Sequence, residues 1–333
     1  MKVLLYTENY KTISKSGLGK AIEHQKIALE SQNIEYTTNI KDDFDIAHIN
    51  TYFPRSYLYA KKFISEGKKI VYHAHSTEED FRNSFLFSNL ISGQFKRWIT
   101  TCYNLGDIII TPTEYSKRLL ETYDINKEIV AISNGIDLNM FSKIENARDI
   151  FIKKYNYDKD DKIIMGVGLY IERKGILDFV ELAKRLKDYK FIWFGYTDLN
   201  LVPNKIKEAV ETELDNLYFA GYVEQREIAL AMQACDLYIF PTYEETEGIP
   251  VLEAAASYTP LLIRDIPVFD GWLKDGFNSY KAKDIDDFEE KIKKIINGEY
   301  PDLTLEARKL ADERSIENIG KELKKVYEKV LEK

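Results

Sequence analysis

The feature that most constrains this chain is an alternation of short apolar runs with amphipathic stretches. Candidate strands are Lys2–Tyr6, Ile46–Asn50, Lys69–His75, Ile108–Thr111 and Ile129–Ser133, then Ile163–Gly168, Phe191–Gly195, Leu217–Val223, Leu237–Pro241 and Leu261–Asp265. After the first run, Leu18, Ala21, Ile22, Ala28 and Leu29 recur at helical spacing. Strand–helix alternation predicts α/β architecture with parallel sheets covered by helices on both faces. Two sets of five runs in 333 residues predict two doubly wound, Rossmann-like domains rather than one long sheet. Ligands of such sheets bind beyond the carboxyl ends of the strands, so the chemistry is expected in an interdomain cleft.

The break between the sets falls in the charge-rich stretch that begins near Leu138, giving domains 1–140 and 141–313. Ile316, Ile319, Leu323, Val326, Tyr327 and Val330 are spaced three to four apart and predict a long closing helix, 314–333, joined to the first domain.

Composition removes several classes of function. With 44% hydrophobic residues the chain has ample apolar surface for two cores. A net charge of −8 argues against nucleic acid as a partner. No stretch approaches about 18 consecutive apolar residues, so no membrane span is expected. The start, MKVLLYTENY, reads as a first strand rather than a signal peptide. Cys102 and Cys235 lie far apart with no metal-like spacing, and a cytosolic, reduced, metal-free protein is expected. His73 and His75 share one face of a strand, but no third ligand is evident.

Three segments carry chemistry. Ser16-Gly17-Leu18-Gly19-Lys20 follows the first strand and opens a helix, where glycine amides and the helix N-terminus can approach a phosphate. A tight strand-to-helix turn uses the same residues. In Gly166-Val-Gly168-Leu169-Tyr-Ile-Glu-Arg173-Lys174-Gly175, adjacent cations at a strand end can clamp a diphosphate, or simply form a solvated loop. Pro241-Thr-Tyr-Glu-Glu245-Thr-Glu-Gly248-Ile249-Pro-Val-Leu-Glu253 places one carboxylate in a loop and a second in the opening turns of a helix. Such a pair can bind the hydroxyls of two sugars, or act as general acid and base.

Taken together, the Glu-x7-Glu arrangement, the Gly-x5-Lys-Gly loop and Asn134-Gly135-Ile136-Asp137 resemble the retaining glycosyltransferases of family 4, which have the two-domain GT-B fold. The resemblance covers essentially the whole chain. Within the family, His75-Ser-Thr-Glu-Glu-Asp-Phe and Glu244-Glu-Thr-Glu-Gly-Ile look like the bacterial enzymes that add a second hexose to monoglucosyldiacylglycerol. The resemblance implies that Glu245 binds donor hexose hydroxyls and Glu253 a nucleotide ribose. It implies that Lys174 neutralises the leaving diphosphate with amides near Gly17, Gly19, Gly248 and Ile249, and that His75 faces the reacting sugar. Members usually carry Arg directly after the glycine at 168; here the residue is Leu169, and Arg173 is the expected substitute. Retention without an enzyme nucleophile is also implied, and no cofactor or metal is expected. Asp43-Phe-Asp45 and Asp284-Ile-Asp286 match a two-aspartate metal signature, as chance allows among 55 acids.

A glycolipid acceptor requires contact with the bilayer. Residues 52–106 hold eight basic positions against four acids, although residues 1–140 are neutral overall. Within Phe81–Gly106, Arg82, Phe85, Phe87, Lys96, Arg97 and Trp98 can lie on an anionic surface. A buried helix explains the same apolar positions. The expected protein is a UDP-sugar-dependent hexosyltransferase, peripheral at the cytoplasmic face of the cell membrane. It would move glucose or galactose from UDP-glucose or UDP-galactose to glucosyl-diacylglycerol, giving a dihexosyl-diacylglycerol. The alternative is a soluble family 4 enzyme acting on a free sugar or polysaccharide precursor.

Overall fold

A computed structural model describes residues 1–14, 16–84 and 88–332. Along the chain the elements run β1 Lys2–Tyr6, α1 Tyr10–Ile13, α2 Gly17–Ser31, β2 Glu35–Thr37, β3 Ile46–Ile49, α3 Pro54–Ser65, β4 Lys69–His73, α4 Glu78–Phe81, α5 Ser88–Tyr103, β5 Ile108–Thr111, α6 Glu114–Glu121 and β6 Glu128–Ala131. They continue α7 Ala147–Tyr155, β7 Ile163–Val167, α8 Ile176–Arg185, β8 Lys190–Phe194, α9 Asn204–Val210, β9 Leu217–Gly221, α10 Gln225–Ala234, β10 Leu237–Phe240, α11 Ile249–Ala256, β11 Leu261–Arg264, β12 Tyr280–Ala282, α12 Ile285–Ile296, α13 Thr304–Glu313 and α14 Ile316–Glu332. Every strand pair is parallel.

The first unit contains residues up to Phe81, Asn89–Asp137, and the chain from Arg314 through α14. Its sheet has the order β2-β1-β3-β4-β5-β6. Both faces are covered, which is why its strands read as near-continuous apolar runs. On one face Ile49, Phe63, Tyr72, Ile99, Tyr103 and Ile109 form a core with α3 and α5. On the other, α2 and α14 bury Ala28, Leu29, Ile319, Leu323 and Tyr327 against Val3, Leu5 and Val71. The first β–α corner is tight: a Cβ on Gly19 would lie 2.4 Å from the Ser14 carbonyl oxygen, so only glycine lets the end of α1 sit against α2.

The second unit contains Leu138–Glu313, with a sheet ordered β12-β11-β10-β7-β8-β9. Its core is built around Trp193, Phe179, Phe191 and Leu262. Arg82, Asn83 and Ser84 pack with this unit rather than with the first, because the Arg173 backbone N–H donates to the Asn83 carbonyl (3.4 Å) and its Nε to Ser84 Oγ (3.1 Å). Among the described residues each sheet has six strands where the sequence pattern predicts five; β2 and β12 are three-residue edge strands without an apolar run. The two-aspartate matches serve local structure. Asp284 caps α12, Asp286 pairs with Arg185, Asp43 pairs with Lys68, and Asp45 accepts the Lys2 amide.

Candidate active site

In the second unit the apolar strand β10 ends at Phe240, and Pro241 turns the chain into a loop that closes at Gly248, the N-cap of α11. A short 3₁₀ turn, Glu172–Lys174, stands beside this loop. Their approach depends on Gly175, whose φ is +75° and where a Cβ would lie 2.2 Å from the Pro241 carbonyl oxygen. Any other residue would push the turn away from the loop.

Through that contact Lys174 ion-pairs with Glu245 and lies 5.5 Å from the Phe240 ring centroid. Arg173 reaches Glu245 Oε2 at 3.6 Å and donates from Nη1 to the Glu244 carbonyl at 2.7 Å. Arg173, Lys174 and Glu245 form one charged cluster, almost fully out of water. Burial alone would raise the Glu245 pKa, but Lys174 and Arg173, with the Thr242 hydroxyl, hold it below the ordinary carboxylate value. The site therefore keeps an ionised acceptor beside two cations. Arg173 is not a solvated loop cation: its guanidinium braces the 241–245 loop from inside.

Glu253 lies on α11, fully buried, with Oε1 accepting from Gln225 Nε2 at 3.3 Å. Tyr238, on β10, senses both carboxylates: burial, then the charges of Glu253 and Glu245, push its phenol well above the usual range. Ile249 is the first residue of α11.

Sequence reasoning missed several residues that hold this arrangement. The buried Thr242 hydroxyl is 3.0 Å from Glu245 Oε1 and 3.1 Å from the Arg173 carbonyl. Arg264 Nε donates to the Pro241 carbonyl at 3.0 Å, and its guanidinium pairs with Asp178 and stacks 4.0 Å from the Tyr243 ring centroid. A charge closing the apolar run Leu261–Ile263 was the available signal.

His75, Gly17 and Gly19 belong to the first unit. Gly17 and Gly19 open α2, with the Ser16 hydroxyl accepting the Gly19 amide at 3.4 Å. His75 follows β4, its ring stacked 3.9 Å from that of His73 and its Nε2 2.9 Å from Asn50 Oδ1. His73 Nδ1 in turn lies 3.1 Å from His48 Nε2, and among the described residues no cluster of three metal-binding groups occurs.

The residues expected at the membrane have different surroundings. Phe85 and Phe87 lie outside the described residues. Lys96 is 3.6 Å from Glu78 and 4.1 Å from the Tyr123 ring centroid, and Trp98 donates to the Tyr52 carbonyl at 2.6 Å and packs on Tyr57. Both side chains are half-buried and held by these partners. Arg82 and Arg97 are exposed. The outward face of α5 also shows Leu90 (77% exposed) and Ile91 (48%), and α3 shows Arg55, Leu58 (62%), Lys61 and Lys62. No helix among the described residues is long and apolar enough to cross a membrane.

Comparison with known proteins fits this geometry. Residues 147–317 match the family described as "Glycosyl transferases group 1", and residues 32–140 match "Glycosyltransferase Family 4". The chain is 40% identical to the processive diacylglycerol alpha-glucosyltransferase of Acholeplasma laidlawii, over 99% of both chains. It is 24% identical to the alpha-galactosylglucosyldiacylglycerol synthase of Streptococcus pneumoniae, over 74% of this chain and 67% of that one. In three dimensions it resembles Anabaena Alr3699/HepE, solved with UDP and glucose (TM-score 0.79, 14% identity, 99% of this chain and 100% of that one). It also resembles WaaG, a glycosyltransferase of lipopolysaccharide biosynthesis (TM-score 0.70, 14% identity, 97% of each chain). With two parallel-sheet units of the GT-B kind and this full-length likeness, the chain belongs to the family 4 glycosyltransferases.

Proposed function

We propose that the protein transfers a hexose, glucose or galactose, from a UDP-sugar to monoglucosyldiacylglycerol with retention, giving a dihexosyl-diacylglycerol. The observation that carries this reading is the 40% identity, over the full length, to an enzyme that glucosylates diacylglycerol. Its likeness to two enzymes named for alpha products supports retention, because UDP-hexoses are themselves alpha-linked.

The residues suit the reaction. Lys174, with Arg173 beside it, supplies positive charge for the departing diphosphate, the role a metal plays elsewhere. Gly248 and Ile249 offer the N-terminus of α11 to the same group, and Gly17 and Gly19 open α2 in the other unit. Glu245, kept ionised, accepts hydroxyls of the hexose; Glu253 accepts those of the ribose; His75 faces the reacting sugar. Activity should accordingly survive a metal chelator.

The reading places the protein at the cytoplasmic face of the cell membrane as a peripheral enzyme. Arg55, Lys61 and Lys62 on α3 and Arg97 on α5, interleaved with Leu58, Leu90 and Ile91, are the contact with anionic lipid. The α3 and α5 helices share one core through Tyr57 and Trp98.

The test is a product assay with UDP-glucose and UDP-galactose in parallel, on anionic liposomes containing monoglucosyldiacylglycerol. A dihexosyl lipid from either donor is the expected result. Turnover of water-soluble sugars with none of the lipid would overturn the acceptor.

A further inference from the structure

A buried polar chain crosses the first unit from its last helix to His75. The Tyr327 hydroxyl on α14 is 2.6 Å from His48 Nδ1; His48 Nε2 is 3.1 Å from His73 Nδ1; Gln25 Nε2 is 2.9 Å from that same nitrogen and 2.8 Å from Asn50 Oδ1; and His75 Nε2 is 2.9 Å from Asn50 Oδ1. All but His75 are buried, and no carboxylate or lysine enters these contacts.

With the Gln25 and Asn50 side-chain amides oriented as in the structure, the protons on this chain run in one direction. A neutral phenol at 0% exposure whose partner is a ring nitrogen donates to it, so His48 accepts at Nδ1 and carries its proton on Nε2. His48 then donates to His73 Nδ1, which must be an acceptor. The Gln25 amide nitrogen donates to the same atom, and its second proton goes to Asn50. Asn50 turns its oxygen toward Gln25 and His75, so His75 is protonated on Nε2. Burial and the neighbouring rings push all three histidines far below their ordinary pKa, which keeps them neutral.

We propose that Tyr327, His48, His73, Gln25 and Asn50 are positioning residues that fix His75 as its Nε2–H tautomer, so that the Nδ1 lone pair is what His75 offers to a substrate hydroxyl. His75 is then an acceptor, not a donor, at the sugar. Stacking against His73, with ring planes 3° apart, fixes the direction of that lone pair. Stability alone does not account for the chain: Asn50 Nδ2, Gln25 Oε1 and His73 Nε2 are buried with no hydrogen-bond partner among the described residues, and an apolar core would avoid the cost of each.

The inference rests on the reading of His75 as substrate-facing, so its test needs a readout apart from activity. Nitrogen-15 NMR of the ring nitrogens in full-length protein, with His75 assigned by comparison with His75→Gln, reports the tautomer directly. The wild type is expected to show Nε2–H at His75. Asn50→Leu should lose that signature and lower kcat on the order of tenfold or more. An Nδ1–H signal in the wild type, or an unchanged tautomer in Asn50→Leu, would each overturn the proposal. Full activity in His75→Gln would instead remove the substrate-facing role of His75 and leave the tautomer result standing.

Discussion

In the second unit, Arg173, Lys174 and Glu245 place three formal charges out of water together. In the first, Tyr327, His48, His73, Gln25, Asn50 and His75 make a chain of similar depth with no formal charge at all. The two clusters hold their geometry by different means. A charged cluster has strong, long-reaching attraction but must be nearly balanced, since breaking one partner strands a buried charge. A neutral chain has weaker links, yet each link dictates the proton position of the next, so it transmits orientation where an ion pair would transmit only field.

The largest expected effect falls on the charged cluster. Lys174→Ala should lower turnover on the order of 10²-fold or more, since it removes charge stabilisation of the leaving group. Near-normal kcat in a folded Lys174→Ala protein would show that the cation serves only to hold Glu245.

Acid should separate the units next. Glu245 has a folded pKa below its unfolded one, so its contribution is present above the ordinary carboxylate range and is lost only as pH falls through the lowered value. The histidines behave oppositely. His48 and His75 titrate at about 3 in the folded state, whereas an unfolded histidine takes up its proton near 6.5. Below about pH 6.5 the unfolded chain binds protons that the folded one refuses, and stability falls by up to about 1.4 kcal/mol per pH unit per histidine. Peptide-resolved hydrogen exchange at pH 7 and pH 5, corrected for intrinsic rates, should show the first unit losing protection while the second keeps it. Equal loss in both would break the contrast.

Smaller effects sharpen it. Thr242→Val removes the hydroxyl between Glu245 and the Arg173 carbonyl and should cost about 1–3 kcal/mol in urea unfolding, with a raised donor KM. Arg97→Gln should weaken binding to anionic liposomes about fivefold, matching the roughly 1 kcal/mol expected per basic charge lost at the surface. Lys96→Gln should cost about 1 kcal/mol of stability or less and leave liposome binding unchanged, because Lys96 faces Glu78 and Tyr123. Sedimentation with vesicles compares the last two directly.

The same contrast explains what the sequence could disclose. Strands buried on both faces are apolar runs, so the four interior strands of each sheet were legible, and the apolar edge strands β6 and β9 with them, whereas Glu35–Thr37 and Tyr280–Ala282 were too short and too polar to register. Several predicted strands ran one or two residues long, at Asn50, His75 and Pro241, where the chain leaves the sheet to carry polar contacts. Lys174 and Glu245 stood out because charges at fixed spacing in a glycine-bearing segment are a local signal. Their pairing was not local: 71 residues separate them. Nor was the link between Tyr327 and His48, 279 residues apart, since a buried tyrosine at helical spacing looks like any other core residue until its partner is known.

The last helix has a consequence for how the protein is made. Because α14 supplies Ile319, Leu323, Tyr327 and Val330 to the first unit's core, that core stays open on one face while the whole second unit is being synthesised. The second unit is contiguous apart from a short strap and can close on its own as it emerges. The first unit must wait, half-covered, for a piece of itself that is made only after the second unit. This makes the exposed faces of α2 and the sheet the surface a nascent-chain chaperone would be expected to hold.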